Sequence, residues 1–237
     1  MTKSVLITGA SGGIGMRIAK TLVKNGFRLV LQGNQHMEQL KAMHAAYPDH
    51  VKILTADLST EIGIADIAKA AVECDAVLHC AGIPSAGISW KISAEEFRKV
   101  NAVNYEAPFY ITQQLIPALR NKGWGRIVFF SSIVAQTGIP GTAAYSASKS
   151  ALFGLTRTMA AELANKGITV NCIAPGYMDE GMIREIPETM RKQIIEKTPV
   201  AKLSDTEGII KLVELLLSNE SNSITGQVLS VNGGLWM

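Results

Sequence analysis

Thr8-Gly9-Ala10-Ser11-Gly12-Gly13-Ile14-Gly15 follows the apolar run Val5-Leu6-Ile7 and opens a helical stretch that continues through Met16-Arg17-Ile18-Ala19. A turn without bulky side chains lets a pyrophosphate approach the backbone, and the N–H groups and dipole at the helix start favour its charge. Glycines can also serve only tight strand-to-helix packing, and a glycine cluster alone is a weak signal. Its place in the first strand-to-helix turn favours dinucleotide binding. We predict that Gly9, Ser11 and Ile14 line the phosphates and that Gly12, Gly13 and Gly15 belong to the same cofactor site.

Six further short apolar runs follow, beginning near residues 29, 51, 76, 127, 169 and 228. The early runs are apolar at consecutive positions, which is typical of strands covered on both faces, and the segments between them are long enough for helical crossovers. The pattern predicts an α/β fold, a Rossmann-like doubly wound parallel seven-stranded sheet with helices on both faces, as one domain over residues 1–237. Two long helices are expected at about 94–120 and 144–165. Residues 177–200, with Pro187 and Pro199, are expected to be irregular and to form a substrate lid.

Composition excludes several classes of function. The formal charge is only +3, and Lys and Arg alternate with Asp and Glu, so no broad field for nucleic acid or a membrane surface is expected. Cys74, Cys80 and Cys172 form no CxxC pair and lie in apolar runs, which favours a reducing, cytoplasmic location. No run of 18 apolar residues lacks a charge or a breaker, so no membrane span is expected. His79 and Cys80 have no ligand-spaced partners, so no metal site is predicted.

Tyr145-Ser146-Ala147-Ser148-Lys149 places a tyrosine and a lysine four residues apart at the start of a predicted helix, where both share one face. An adjacent ammonium favours the phenolate, so we expect Lys149 to lower the pKa of Tyr145 and to make it a working acid. The spacing alone is common by chance. Ser131-Ser132, at the end of the preceding strand and therefore at the edge where α/β sheets bind ligands, supports a catalytic set.

The GxxxGxG turn together with Ser132, Tyr145 and Lys149 resembles the short-chain dehydrogenase/reductase family over nearly the whole chain. The resemblance implies that Ser132 binds the substrate oxygen, that Tyr145 donates the proton and that Lys149 also binds the cofactor with Tyr145. It further implies that Asn104 holds a water of the proton relay. Asn101 is its rival for that role, although a solvated Asn101 is the favoured interpretation.

The same resemblance assigns further cofactor contacts. Asp57-Leu58 matches the adenine-binding position, and Ala81 and Gly82 end the stretch His79-Cys80-Ala81-Gly82, where the family usually has Asn-Asn-Ala-Gly. Pro175-Gly176 matches the turn beside the nicotinamide, with the backbone of Met178 expected at the carboxamide. Glu180 stands where a threonine is usual.

Cofactor preference is predicted from the end of the second strand. Gln32-Gly33-Asn34-Gln35 lacks the acid that would accept from a ribose 2′-hydroxyl, so NADP(H) is favoured, with NAD(H) as the alternative and Asn34 in the cofactor site. Arg17 and His36 are the candidate phosphate ligands. Arg17 is equally readable as a solvated helix residue.

The ending Ile224-Thr225-Gly226-Gln227-Val228-Leu229-Ser230-Val231-Asn232-Gly233-Gly234 is similar to that of bacterial 3-oxoacyl-(acyl-carrier-protein) reductases, which are generally tetramers. The similarity implies NADPH-dependent reduction of a 3-oxoacyl thioester on acyl carrier protein, in fatty-acid or polyketide-type synthesis, by a homotetramer. A dehydrogenase of a free sugar, steroid or small alcohol is the alternative, and a nucleotide-binding scaffold is a third. Lys122 and Lys166 are either docking residues for the acidic carrier or solvated lysines at the ends of elements.

Overall fold

Strands with apolar residues on both faces build a parallel sheet between two helical layers, as predicted. The computed structural model describes residues 2–179, 183 and 187–237. Its strands are Ser4–Thr8 (β1), Arg28–Gly33 (β2), Val51–Thr55 (β3), Ala76–His79 (β4), Gly125–Phe130 (β5), Ile168–Pro175 (β6) and Val228–Val231 (β7). Its α-helices are Gly13–Lys24 (α1), Glu38–Ala46 (α2), Glu61–Ala71 (α3), Ala94–Asn101 (α4), Ala107–Lys122 (α5), Ala143–Leu163 (α6), Glu188–Lys197 (α7) and Thr206–Leu216 (α8).

The strand order is β3-β2-β1-β4-β5-β6-β7, and every neighbouring pair is parallel. All strands therefore end at one edge, called here the carboxyl edge, and begin at the opposite amino edge. The order reverses between β1 and β4, and in doubly wound sheets the crevice at such a reversal binds the ligand. The topology thus places a binding crevice beside the glycine-rich turn that follows β1.

Alternation along the strands sends apolar side chains into both layers. In β1, Val5 and Ile7 belong to a core shared with α1, α2 and α8, whereas Leu6 belongs to a second core shared with α3, α5 and α6. Ile18 and Leu22 of α1 pack in the first layer. The sheet is therefore covered on both faces, which holds its carboxyl edge rigid under the site.

The helix expected at 94–120 is interrupted by one widened turn. Between α4 and α5, Ala102–Glu106 form a π-helical turn, and Asn104 lies inside it, fully buried. Such turns carry one residue more than a regular helical turn and occur often at functional sites. The chain runs on without a break, so the π turn changes the direction of the Asn104 side chain and leaves both flanking helices intact.

The expectation of an irregular segment at 177–200 is wrong for its second half, where α7 forms. Pro187 precedes the first residue of α7, a position at which proline needs no N–H partner, so it begins the helix instead of breaking it. None of the α7 side chains is fully buried. Over the described parts of the chain, no helix combines the length and the apolarity needed to cross a bilayer.

Candidate active site

The glycine-rich turn packs too closely on the neighbouring strand end for any side chain at Gly9. Gly9 has φ +63°, and a Cβ built on it would lie 2.6 Å from Ala81 Cα. A Cβ on Gly15 would lie 2.6 Å from Gly9 O. Gly12 caps α1, whose first turn holds no acidic residue, so its N–H groups face an approaching anion without competition from a carboxylate. This cradle fits a pyrophosphate.

Gln32, which sequence analysis did not assign to the site, clamps this turn. It is 2% exposed; its Oε1 accepts from Gly9 N at 2.8 Å, and its Nε2 donates to Ala56 O at 2.9 Å. Since Gly9 follows β1 and Ala56 follows β3, one side chain on β2 joins three strand ends. In the sequence, only the position of this glutamine, directly after the apolar run Leu29-Val30-Leu31, indicated a special role.

At the end of β2, Gly33 lies in the interior and the three residues that follow it lie at the surface. A Cβ on Gly33 would lie 3.1 Å from Ser11 Oγ and 2.7 Å from Met37 Sδ, whereas Asn34 is exposed. His36 is exposed at φ +56°, a conformation uncommon for a residue with a side chain. Arg17 Nη1 donates to Thr206 Oγ1 at 3.4 Å, so its guanidinium lies beside the start of α8.

Asp57 follows β3, as expected, and is exposed, while Leu58 is buried in the core. Asp57 Oδ1 accepts from both Ser59 N and Ser59 Oγ at 2.8 Å, and these bonds lower the pKa of Asp57. The carboxylate is therefore charged and fixed at the carboxyl edge. Gly63 packs beneath it, since a Cβ there would lie 2.1 Å from Asp57 O.

At the end of β4, where His79-Cys80 stands in place of the usual Asn-Asn of the family, the chain packs into the interior. His79 is 1% exposed, its Nε2 lies 2.8 Å from Thr112 Oγ1, and its ring stacks on Phe129. Burial lowers the pKa of His79 to about 3, so the ring is neutral. Burial raises the pKa of the partly buried Cys80 thiol, which removes thiolate chemistry. Among the described residues, no group of three or more His, Cys, Asp or Glu side chains could hold a metal.

The three catalytic candidates meet at the carboxyl edge. The Ser132 and Tyr145 side chains lie close to each other, so that the Ser132 hydroxyl acts to lower the pKa of Tyr145, and Lys149 Nζ lies 6.0 Å from the Tyr145 ring centroid. Lys149 is 4% exposed and donates to Phe130 O at 2.7 Å. Ser131 Oγ donates to Lys149 O at 2.8 Å, so Ser131 braces α6.

The expected depression of the Tyr145 pKa by Lys149 is not found. Burial raises the pKa of Tyr145, and the neighbouring Ser132 hydroxyl opposes this only in part. Burial also lowers the pKa of Lys149 to about 8. Tyr145 is therefore protonated at neutral pH, the state that a proton donor requires, and Lys149 loses its charge only slightly above neutrality.

Asn104 lies beside this set and Asn101 does not. Asn104 Oδ1 accepts from Ile83 N at 2.8 Å, and its Nδ2 donates to Ile83 O at 3.0 Å and to Ser148 Oγ at 3.1 Å. A Cβ on Gly82 would lie 3.1 Å from Lys149 Nζ and 3.4 Å from Asn104 Oδ1. Asn101 is partly exposed and its Nδ2 donates to Phe97 O at 2.8 Å, which supports the solvated interpretation.

At the end of β6, Pro175 is buried and Gly176 is partly exposed beside the same edge. The Met178 side chain is 7% exposed, which leaves its backbone as the group available to a ligand. The residue forms a parallel bridge with Ser204. Glu180 lies outside the described residues.

Lys122 and Lys166 both lie at the amino edge of this chain, which favours the alternative of lysines at the ends of elements over docking residues beside the active site. Lys122 ends α5 ahead of β5, and its Nζ donates to Asp75 Oδ1 at 2.8 Å and to Glu73 O at 2.7 Å. Lys166 directly precedes β6. The length of β5, six residues at about 3.3 Å each, separates this edge from Ser132 by roughly 20 Å.

Gly9 provides a test of the cradle, because Gly123 has nearly the same φ, +64°, with no neighbour within 4 Å of its Cβ position. We expect Gly123→Ala to cost about 1–2 kcal/mol through backbone strain alone. Gly9→Ala should cost about 1–3 kcal/mol more, because the Cβ meets fixed backbone, and should abolish dinucleotide binding. Urea unfolding and cofactor titration measure both effects. Equal stabilities for the two variants would contradict the close approach at Ala81.

The doubly wound sheet, with the Ser132, Tyr145 and Lys149 candidates together at its carboxyl edge, fits an oxidoreductase. A family model described as "Enoyl-(Acyl carrier protein) reductase" matches residues 9–236. The chain belongs to this family, one of short-chain dehydrogenases/reductases.

Three known proteins show the breadth of the similarity. The 3-oxoacyl-(acyl-carrier-protein) reductase FabG of Rickettsia prowazekii is 36% identical over 235 residues, which cover 99% of this chain and 97% of that protein. A candidate NAD(P)-dependent gluconate 5-dehydrogenase from Beutenbergia cavernae, solved with bound NADP, superposes with a TM-score of 0.92 at 28% identity, covering 98% and 96% of the two chains. A 4-hydroxyisoleucine dehydrogenase complexed with NADH gives 0.91 at 27%, covering 99% and 98%.

Proposed function

We propose that this oxidoreductase reduces the 3-oxo group of an acyl thioester to the hydroxyl with NADPH. The observation that carries the reaction is the protonated, half-buried Tyr145, which lies beside Ser132 and has Lys149 Nζ 6.0 Å from its ring centroid. Ser132 orients the substrate oxygen and Tyr145 donates the proton to it. Lys149 restores that proton, and Asn104, buried beside Ser148, is proposed to hold a water of the relay. Residues 177–200 are proposed to contribute to substrate binding.

The residues present fit a nicotinamide dinucleotide. In this proposal the glycine cradle accepts the pyrophosphate and Asp57 contacts the adenine, and Gly82 packs close to Lys149, since a Cβ there would lie 3.1 Å from Lys149 Nζ. Ala81, Pro175, Gly176 and the Met178 backbone would hold the nicotinamide end. When bound, the nicotinamide supplies a hydride to the carbonyl carbon of the substrate.

Preference for NADPH rests on the exposed corner formed by Ser11, Asn34 and His36, which contains no carboxylate. We expect wild-type kcat/KM to be higher with NADPH, and Asn34→Asp to reverse the ratio. Asn34 is the better position for the new acid, because a Cβ on Gly33 would collide with Met37. Steady-state kinetics with both cofactors measure the ratio, and Asn121→Asp, an exposed change at the amino edge, is the matched control. A wild-type ratio near one would contradict this basis of selection.

Acyl carrier protein is proposed as the substrate carrier, and a homotetramer as the assembly, because relatives named as carrier-protein reductases cover nearly the whole chain. The function is tested by measuring NADPH oxidation with an acetoacetyl thioester, on carrier protein and as a soluble analogue. Turnover of both thioesters, above that of free ketones, is the expected result. Turnover of free ketones alone would contradict the proposal.

A dehydrogenase of a free polyol or sugar acid is the second candidate. It is favoured by the superposition on the gluconate 5-dehydrogenase candidate, which covers the whole fold at 28% identity. Gluconate oxidation with NADP or NAD, followed in the same assay format, separates the two candidates.

A further inference from the structure

The C-terminal turn, residues 232–237, packs directly behind the Pro175-Gly176 turn. Gly176 N donates to Val231 O at 2.9 Å, which continues the pairing of β6 and β7. A Cβ on Gly176 would lie 2.7 Å from Asn232 Cα and 3.0 Å from Asn232 Cβ. The Gly176 backbone therefore packs directly on Asn232.

Asn232 in turn holds the C-terminal turn closed with both ends of its side chain. It is 5% exposed; its Nδ2 donates to Trp236 O at 2.9 Å, and its Oδ1 accepts from Gly234 N at 2.9 Å. The enclosed Gly233 and Gly234 have φ +63° and +82°. Two consecutive glycines are conformationally flexible by themselves, so the hydrogen bonds of the Asn232 amide restrict the conformation of this turn.

The same turn contacts the chain beyond α7. Val200 N donates to Gly233 O at 3.2 Å, and a Cβ on Gly233 would lie 2.6 Å from Val200 Cγ2 and 2.8 Å from Thr198 Cγ2. The ring of Pro199 packs against Gly234 in the same way, 3.1 Å from its Cβ position. The C-terminal turn thus fills the space between Pro175-Gly176 and residues 198–200.

We propose that Asn232 is a positioning residue for the nicotinamide end of the cofactor site. It does not touch the cofactor; it fixes Gly176 and, through Gly233, residues 198–200. The inference rests on the proposed function in one respect, the placement of the nicotinamide beside Pro175-Gly176. The adenosine end, held by the turn after β1 and by Asp57, lies on the other side of the sheet reversal and is independent of Asn232.

The test compares ligands with and without nicotinamide. We expect Asn232→Ala to weaken NADPH binding roughly ten-fold and to leave binding of 2′-phospho-ADP-ribose within two-fold of wild type, measured by calorimetry. NADH and ADP-ribose are measured in the same way, so the result does not depend on which cofactor is preferred. Asn232→Asp keeps the acceptor for Gly234 N and loses the donor to Trp236 O, so it should give an intermediate loss.

Asn171 offers a matched control. It is 1% exposed and makes two similar bonds, from Nδ2 to Ile224 O at 2.7 Å and from Gln227 N to Oδ1 at 3.2 Å, ahead of β7 and away from the carboxyl edge. Asn171→Ala should lower the melting temperature as Asn232→Ala does, without changing the ratio of the two affinities.

Three results would overturn the inference: unchanged NADPH affinity in folded Asn232→Ala, equal weakening of both ligands, or the same selective loss in Asn171→Ala. Failure of the proposed function shows separately, as wild-type protein that binds neither nucleotide or that binds NADPH without reducing the thioester.

Discussion

Tyr145→Phe is expected to lower kcat for thioester reduction by roughly 10³-fold while NADPH binds within two-fold of wild type. General acid catalysis contributes about 10²–10⁴-fold, and this change removes only the hydroxyl that donates the proton. The aromatic ring is retained, and replacing its hydroxyl by hydrogen costs little free energy of folding. Burial raises the pKa of Tyr145, so the wild-type group is fully protonated and no other described side chain at this position replaces it.

Stopped-flow or steady-state kinetics measure kcat, and fluorescence titration measures the cofactor affinity. Tyr110→Phe is the matched control, since Tyr110 on α5 is 47% exposed and lies away from the catalytic set. It should leave both quantities unchanged. Wild-type kcat in Tyr145→Phe would refute the proposed mechanism, and an equal loss in both variants would point to misfolding.

Lys149→Met is expected to remove activity, by at least about 10²-fold, and yet to stabilise the fold. Lys149 carries a charge inside the protein, and burial lowers its pKa from 10.5 to about 8, which corresponds to about 3 kcal/mol of destabilisation at neutral pH. Methionine has a similar length and no charge. The lost hydrogen bond to Phe130 O costs about 1–3 kcal/mol, so a net rise of a few degrees in Tm at most is expected.

The stabilisation expected from Lys149→Met should depend on pH, in a direction that follows from the pKa of Lys149. The folded protein releases the Lys149 proton near pH 8 and the unfolded chain near 10.5, so the unfolded chain binds more protons between these values and the stability of the wild type rises with pH there. The gain from Lys149→Met should therefore be full below pH 8 and shrink towards pH 10.5. Reduction by the wild type should slow as pH rises through about 8, when the ammonium is lost.

Differential scanning calorimetry at pH 7 and pH 10 follows the stability, with Lys166→Met as the exposed-lysine control. A stability difference between Lys149→Met and the wild type that increases with pH would contradict this link between protonation and folding.

The seven strands were predictable because strands covered on both faces are apolar at consecutive positions, which leaves a distinct mark in the sequence. The catalytic set was predictable because Tyr145 and Lys149 share a helix and Ser132 ends a strand, so local spacing and sheet direction suffice. Gln32 was missed because it bonds backbone groups of Gly9 and Ala56, which lie far away in sequence, and Asn232 was missed because it packs on Gly176, which is also distant in sequence. No short motif records such contacts.

The positions of Lys122 and Lys166 follow from strand direction. Lys122 lies three residues before β5 and Lys166 two residues before β6, so both are assigned to the amino edge of the parallel sheet, opposite the site. For α7, in contrast, the sequence alone does not show whether Pro187 breaks a helix or begins one, because proline is typical of both positions. The packing of the fold determines which of the two occurs.

The π turn at Ala102–Glu106 makes the geometry of this site a matter of residue count as well as residue type. Asn104 reaches the backbone of Ile83 only because one surplus residue rotates it against the regular repeat of α4 and α5. A chain one residue shorter here would keep every catalytic side chain and still turn this asparagine by about 100° away from its partners. Insertions and deletions between Asn101 and Ala107 therefore carry functional information that a comparison of residue identities alone would overlook.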